Sequence, residues 1–556
     1  MRAGSLMRVI DAIAEIMKRE GVEYLPCFPT TSVIEAAAEI GIRPIVCRQE
    51  RVGVGIADAY ARVKNGRPPS VFAMQYGPGI ENAFAGIATA YSDSTPMLLL
   101  PLGHPRHIEG VFPLFSAVRT MESVTKSVEK ISVVERTPDA MRRAFSQLKN
   151  GRPGPVLVEI PADLEQAEID PELVAGYRPV PIATSMGDPS EIQRAAEALL
   201  RAERPIILAG AGVLYAEAWD ELQELAEYLQ IPVTTTMEGK SAFSEVHPLA
   251  LGSVSGVMSG AAHHFFGEAD VVLAVGTSLT RHGMVTPIPA GKHIIHATND
   301  PIDLSKGYDV DHAILGDAKH VLAQFVEAVK DLTNDEPVRP EDGAAGEIDG
   351  VRSAWLGEWM PLLTSDEKPI NPYRVIWEFT QNVHPAEAIV THDSGNPRFE
   401  IMPFYRSDGP RTYLGWGKSH QLGTGLGFAI GAKLAAPDKM CVNFMGDAAF
   451  GMTGLDFETA VRSDLPITTI VLANGGMAVE KRHMTLSHDL YGTRDQGGNY
   501  ADIAQALGGW AERVEEPAEV GPAILRAKQA NEEGKAALLE FITSEEGAYS
   551  FQRPFS

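Results

Sequence analysis

Cysteine is nearly absent: Cys27, Cys47 and Cys441 are the only three in 556 residues. Three thiols supply neither a disulfide framework nor the four ligands of a tetrahedral zinc site. Their scarcity suits a reducing setting, and a cytoplasmic location is expected. Long apolar runs are also lacking. The most apolar stretches, such as residues 97–100, are strand-sized and far below the roughly 20 residues that span a bilayer. The N-terminal MRAGSLMRVIDAIAEIMKRE becomes charged too soon for a signal-peptide core. No membrane partner is expected. Positive charge is in deficit, with 48 Lys and Arg against 73 Asp and Glu and a net charge of −25. Such a surface repels phosphate backbones, which excludes nucleic acid as a partner. No repeat of solenoid length is visible.

At roughly 150 residues per domain, the chain is long enough for three or four domains. Short apolar runs alternate with amphipathic stretches, the pattern of α/β domains with mainly parallel sheets. The spacing predicts a helix over 6–19 and strands at 24–28, 45–47, 70–74, 97–100 and 156–160. Residues 160–190, proline-rich and weakly periodic, read as a surface linker. A helix is predicted from Ser190, with Ser190 and Gln193 as a capping box after Asp188-Pro189. A second α/β unit follows, carrying RPIILAGAG, ADVVLAVGTSL and KHIIHATND and closing on a helix near 318–329. Residues 331–349, acidic and rich in Gly and Pro, read as a second linker. The third unit has strands predicted at 388–391, 440–444, 467–472 and 537–541. The expected domains are 1–175, 186–331 and 350–556.

The stretch 442–480 is the most informative. An apolar strand delivers Gly446-Asp447-Ala448-Ala449 to its C-terminal edge, where ligand sites of open parallel sheets lie. One crossover helix later, a second apolar strand ends in Asn474-Gly475-Gly476. Asp447, Asn474 and the Gly476 carbonyl are hard oxygen ligands suited to Mg²⁺, an ion that commonly bridges protein and phosphate. Taken alone, the pattern equally fits two ordinary tight βα turns.

With Asp447 and Asn474 separated by 27 positions, the stretch resembles the diphosphate and metal motif of the thiamine-diphosphate enzymes of the acetolactate synthase, pyruvate decarboxylase and benzoylformate decarboxylase type. Ala448 stands where that motif has Gly. Three further segments resemble the family. In VCRQERVGVGIADAYAR an apolar strand delivers Glu50, which matches the family glutamate that hydrogen-bonds the cofactor's aminopyrimidine and so activates the thiazolium carbon. Without the family context, a Glu between Arg48 and Arg51 reads as a solvated surface residue. In QYGPGIENAFAGIATAYSDSTP, Gly77, Pro78, Gly79, Asn82, Gly86, Ala90, Asp93 and Pro96 fall in the family's register, with Gly77 and Asn82 as cofactor contacts. In GKSHQLGTGLGFAIGAKLA, Leu422 takes the place of the apolar wedge between the cofactor's rings, and Thr424 replaces a usual Phe. Ser394, Gly395 and Asn396 of HDSGN match the loop that touches the diphosphate, joined there by Gly446, Ala448 and Ala449. The resemblance implies three doubly wound parallel-sheet domains, pyrimidine-binding, central and diphosphate-binding. It implies thiamine diphosphate and Mg²⁺ as cofactors. FAD, held by the central domain in some members, is compatible with Gly210, Gly212 and Gly276 but not favoured, because no GxGxxG is present. In the family one cofactor is served from two subunits, which implies at least a homodimer, with a homotetramer expected.

Acetolactate synthases carry a Gln, a Met and a Trp in the substrate pocket, where this chain has Ser116, Val479 and His483. These departures predict an acetolactate synthase-like enzyme with an atypical pocket, forming or cleaving a carbon–carbon bond of a 2-oxo acid or related small-molecule carbonyl substrate. Glu480 occupies the place of the proton-relaying glutamate of the pyruvate and indolepyruvate decarboxylases, a role that requires burial to raise its pKa. His107, with His104 in the same loop, is a further acid/base candidate, although loop histidines are commonly solvated bystanders. A simple 2-oxo acid decarboxylase and a lyase or hydrolase of diketones or acyl-CoA are the alternatives within the family. A non-catalytic scaffold is the alternative of another class. Joint retention of Glu50, Asp447 and Asn474 argues against it, since buried polar groups without a role are costly to keep.

Overall fold

The computed structural model describes residues 7–340, 343–552 and 555. Three six-stranded parallel sheets organise these residues, and helices alternate with their strands. The first sheet comprises Tyr24–Cys27, Arg43–Val46, Ser70–Met74, Met97–Gly103, Ser127–Lys130 and Val156–Pro161. Numbered in chain order within the sheet, these strands lie 2-1-3-4-6-5. The second comprises Pro205–Ala209, Val233–Thr236, Ala250–Val254, Val271–Val275, His293–Thr298 and His312–Leu315. Its order is 3-2-1-4-5-6, that of a doubly wound nucleotide-binding sheet. The third comprises Ala388–His392, Tyr413–Leu414, Met440–Gly446, Ile467–Ala473, Trp510–Val514 and Ala537–Ile542, again ordered 2-1-3-4-6-5. The central strands 70–74, 97–103, 388–392 and 467–473 are buried along their whole length. Burial on both faces explains why they read as continuous apolar runs rather than alternating ones.

The chain forms two compact units. One holds the described residues of Met1–Ala183 together with Gly417–Asp438 and Met452–Leu465, and the other holds Thr184–Trp416, Lys439–Gly451 and Pro466–Ser556. In the first unit the helix Thr424–Ala435 packs on the helix Glu50–Val63 through small residues. A Cβ at Gly427 would lie 2.8 Å from the Val52 carbonyl oxygen, and one at Gly431 2.1 Å from that of Ile56. Glycine at both positions therefore permits the close approach of the two backbones.

Several sequence expectations need correction. The helix predicted over 6–19 begins at Val9, because Met7–Arg8 pairs as an antiparallel strand with Glu168–Ile169; Leu6 lies outside the described residues. The segment read as a linker over 160–190 thus contains a strand, followed by the short helix Pro171–Ala175. It is anchored by buried Ile169, Val174 and Tyr177, whose hydroxyl donates to Glu20 Oε1 at 2.6 Å. The next helix runs Pro189–Arg201 and is capped by Asp188 rather than Ser190. Asp188 Oδ1 accepts the N–H groups of Ser190 (2.8 Å) and Glu191 (3.3 Å), and Pro189 suits the first helical position. The second linker is shorter than read: helices Ala318–Thr333 and Gly343–Leu363 intrude from both sides, and Ile348 is fully buried. Residues 341 and 342 within it lie outside the described residues.

Among the described residues no helix is long and apolar enough to cross a membrane. The glycines of the central sheet pack against one another: a Cβ at Gly210 would lie 2.4 Å from the Gly276 carbonyl oxygen, and one at Gly212 2.6 Å from Gly276 Cα. That packing requires glycine with or without a nucleotide.

Candidate active site

In the first unit, Glu50 opens the helix Glu50–Val63 and is 4% exposed. A carboxylate in the first turn is favoured by the positive end of the helix dipole. Glu50 Oε2 accepts from Asn82 Nδ2 at 2.5 Å, so one oxygen is oriented by an amide. The other, Oε1, faces a slot kept open by Gly79. A Cβ there would approach Oε1 to 3.4 Å and Gln75 Cγ to 2.8 Å. A buried carboxylate with one engaged oxygen and a small-residue slot beside the other suits contact with a planar heteroaromatic ring. Gly77 turns the chain into the helix Pro78–Ser92 with φ +57° and ψ −111°, a conformation side-chain-bearing residues avoid. Asp93 of the same motif is buried and structural: it accepts from Arg62 Nη2 (3.1 Å), Gly417 N (3.1 Å) and Lys418 N (3.2 Å). That tie holds the segment leading to Leu422. Leu422 sits in the turn before Thr424–Ala435, and its carbonyl accepts from the Arg51 guanidinium. Gly423 has φ +87°, and a Cβ there would meet Thr453 Cγ2 at 2.6 Å and Arg51 Nη2 at 2.8 Å.

In the second unit, strands Met440–Gly446 and Ile467–Ala473 are parallel neighbours with Gly446 opposite Leu472. Asp447 is 3% exposed; its Oδ1 accepts from Ala448 N and its Oδ2 from Gly475 N, both at 2.8 Å. These bonds bring the GDA and NGG turns together. No basic side chain pairs with Asp447 among the described residues. Burial pushes its pKa up, opposed by main-chain N–H groups of Ala448, Gly475 and Gly476. A buried carboxylate that meets only N–H dipoles is a natural ligand for a divalent cation. Asn474 Oδ1 accepts from Gly476 N at 3.1 Å. Gly476 is clamped on both sides, by Gln496 N donating to the Gly475 carbonyl and Met477 N to the Arg494 carbonyl, each at 2.9 Å. Space beside Gly446 is open, with nothing within 4 Å of a Cβ placed there. Ala448 adds a methyl group next to it, and Ala449 is buried. In the neighbouring strand end, Ser394 N donates to Asp393 Oδ1 (2.7 Å), Gly395 takes φ +93°, and Asn396 Oδ1 accepts from the Tyr549 hydroxyl (2.7 Å). Residues 394–396 and Asp447 thus flank the boundary between strands 1 and 3 of this sheet, the place where such sheets bind ligands.

Known proteins resemble the chain along most of its length. The chain matches the N-terminal TPP binding domain of thiamine pyrophosphate enzymes over residues 7–128, the central domain over 192–325 and the C-terminal TPP binding domain over 393–541. It is 30% identical over 552 residues to the Methanocaldococcus jannaschii protein named "Probable acetolactate synthase large subunit", covering 95% of this chain and 90% of that one. The chain belongs to the thiamine pyrophosphate enzymes. It is also 31% identical to the acetolactate synthase of Arthrospira platensis, over 91% of this chain and 89% of that one. With the sulfoacetaldehyde acetyltransferase of Alcaligenes xylosoxydans it shares 30% identity over 93% of this chain and 89% of that one.

The remaining candidates of this thiamine pyrophosphate enzyme are more open. Glu480 lies in a short 3₁₀ turn, 45% exposed, with His483 Nδ1 3.7 Å from its carboxylate. The burial that a relay role asks for is not supplied by this unit alone. Val479 reaches toward the 394–396 loop: a Cβ at Gly395 would lie 3.9 Å from its Cγ2. His107 is exposed, whereas His104 is half-buried against Tyr76, with ring centroids 4.9 Å apart. Ser116 caps the helix Ala117–Met121 by accepting from Arg119 N at 3.4 Å. Sequence reasoning missed Asp393, fully buried and holding the Ser394 N–H, and Trp416, whose Nε1–H donates to the His392 carbonyl at 2.8 Å. Asp393 was within sight in the sequence, since it precedes the SGN already singled out. Trp416 carried no such signal.

Proposed function

We propose that this chain is a thiamine-diphosphate- and Mg²⁺-dependent enzyme that forms or cleaves a carbon–carbon bond next to the carbonyl of a 2-oxo acid or related compound. The observation that carries the reading is the buried Asp447 carboxylate, without a basic partner among the described residues, bonded to the Asn474-Gly475-Gly476 turn. Asp447, Asn474 and the Gly476 carbonyl would hold the metal, with the diphosphate against residues 394–396 and the Gly446-Ala448-Ala449 turn. When bound, the cofactor would supply a nucleophilic carbon and an electron sink next to the substrate carbonyl. Glu50 Oε1 binds and exchanges a proton at the aminopyrimidine ring, while Asn82 fixes the carboxylate's orientation. Leu422 would offer the cofactor an apolar contact. The working unit in this reading is at least a homodimer, with a homotetramer expected.

The outcome after bond cleavage is set by whether a proton or a second carbonyl arrives. Ser116, Val479 and His483 replace the pocket residues expected of an acetolactate synthase, so an atypical acceptor is proposed. The equal identity to a sulfoacetaldehyde acetyltransferase and to acetolactate synthases supports that choice. Glu480 favours a second reading, a simple decarboxylase in which its carboxyl delivers the proton, provided a partner subunit covers it. The test has two stages. Small molecules released from the denatured protein should include thiamine diphosphate and magnesium, and CO₂ release should then be screened over a panel of 2-oxo acids, with and without aldehyde acceptors. Failure to bind thiamine diphosphate even when it is supplied with magnesium would overturn the proposal.

A further inference from the structure

A cavity of about 300 Å³ lies within the second unit, bordered by the helices Gly343–Leu363, Pro372–Asn382 and Asn396–Phe404. Its aromatic wall is built from Trp355, Trp377 and Phe404, with Trp355 and Phe404 stacked at 5.0 Å. Two guanidiniums also border it. Arg352 donates to the Ala250 carbonyl, and Arg406 to the Glu245 carbonyl from Nε (2.8 Å) and Nη2 (2.6 Å). Neither forms an ion pair among the described residues. The other charged groups on the wall, Lys240 and Glu245, are buried and paired at 2.5 Å, and Glu245 Oε2 also accepts from Ser407 N at 2.8 Å. They pair with each other, which leaves Arg352 and Arg406 without an ion-pair partner among the described residues. Exposed Asp349, one turn away on the helix of Arg352, makes no ion pair with it. Burial pushes the Arg352 pKa down, and the charge of Arg406 acts in the same direction, against the weaker opposing charges of Asp349 and Glu245. An anion between the two would relieve both effects.

We propose that this cavity binds a small organic anion, a carboxylate with an aromatic body, whose charged end is held by Arg352 and Arg406 and whose ring lies against Trp355, Trp377 and Phe404. Paired guanidinium donors match the geometry of a carboxylate, and aromatic walls suit a flat apolar body. At the roughly 30 Å³ that one water occupies in the liquid, the volume accommodates about ten non-hydrogen atoms. The nine-residue helix Asn396–Phe404 separates Phe404 from Asn396 by about 12 Å at 1.5 Å per residue. The occupant is therefore a separate ligand from any substrate at the 394–396 loop.

Phenylacetate is the probe, titrated into the full-length protein and followed by tryptophan fluorescence and calorimetry, with phenylacetamide as the uncharged counterpart. Saturable binding of phenylacetate is expected, weaker by about ten-fold or more for phenylacetamide and in each of Arg352→Gln and Arg406→Gln, the loss of one charge-assisted hydrogen-bonding group. Arg406 is exposed, and a melting curve of its variant controls for the loss of its bonds to the Glu245 carbonyl. Thr380→Phe, which keeps both arginines but fills the cavity, should also abolish binding. Absence of saturable phenylacetate binding, equal binding of phenylacetamide, or unchanged affinity in Arg406→Gln and Thr380→Phe would each overturn the proposal.

Discussion

The first and third sheets share the strand order 2-1-3-4-6-5, which places strand 1 beside strand 3 and opens a crevice at their C-terminal ends. In the third sheet the crevice is flanked by acids and turns: Asp393 and Gly395 after strand 1, Asp447 after strand 3. In the first sheet strand 1 ends at Cys27 and strand 3 leads to Gln75-Tyr76-Gly77, and the acid comes after strand 2 instead, at Glu50. The two acids are held differently. Asp447 meets main-chain N–H groups on both oxygens, whereas Glu50 has one oxygen on the Asn82 amide and a slot beside the other. The first arrangement suits a divalent cation and the second a proton-bearing heteroaromatic ring. One topology thus fixes where ligands go, and the loops decide which chemistry arrives there.

The largest expected effect comes from Glu50→Gln. Loss of a positioned proton-transfer group should lower kcat by about 10²–10⁴-fold, while calorimetry should find thiamine diphosphate still bound. Wild-type turnover in that variant would dissolve the contrast between the two acids. Asp447→Asn should do the reverse: magnesium-dependent thiamine diphosphate affinity should fall by about 10–100-fold, as when a metal's ligand shell is disturbed. The metal-free variant should also melt below wild type, because both Asp447 oxygens accept main-chain N–H groups and the amide NH2 would face one of them. Equal melting of the two metal-free proteins would contradict that account.

How legible these features were in the sequence follows the same division. Asp447 and Asn474 stood out because each ends an apolar run, Glu50 stood out only through the family resemblance, and the buried central strands read clearly. The strands Ser127–Lys130 and Trp510–Val514 were missed, because each lies at a sheet edge and is only partly buried, so its sequence (SVEK, WAERV) lacks an apolar run. The cap at Asp188 was displaced by two residues because Ser190 and Asp188 are both good caps and only the fold selects between them. Contacts across long separations had no local signature at all. Tyr549 on Asn396 spans 153 residues, and Arg406 on Glu245 spans 161.

A smaller effect isolates geometry from chemistry. Gly423→Ala should destabilise the first unit by about 1–3 kcal/mol, because φ +87° disfavours alanine and the new methyl would meet Thr453 at 2.6 Å. Denaturant melting measures this directly. Turnover per folded molecule should fall as well, since the preceding residue is Leu422. An alanine variant as stable as the parent would mean that this turn relaxes freely, and the rigid positioning attributed to it would be lost.

The smallest effect sharpens the contrast between the helices that follow strand 1 in the two sheets. In the third sheet that helix carries Glu400, 2% exposed, whose Oε2 has no hydrogen-bond partner among the described residues. Burial, and after it the charge of Glu546, push its pKa up to about 8. The corresponding helix of the first sheet, Val33–Glu39, buries Val33, Ala36 and Ala37 and no acid. Because the folded pKa lies above the unfolded one, the stability contributed by neutral Glu400 is complete below the ordinary glutamate range and is lost as pH rises through about 8. Glu400→Gln is isosteric and cannot ionise. Wild type and variant should therefore melt close together near pH 5, and the variant should be clearly the more stable near pH 9. Parallel melting curves across that interval would show that Glu400 is already charged at neutral pH, and the electrostatic contrast between the two helices would then be lost.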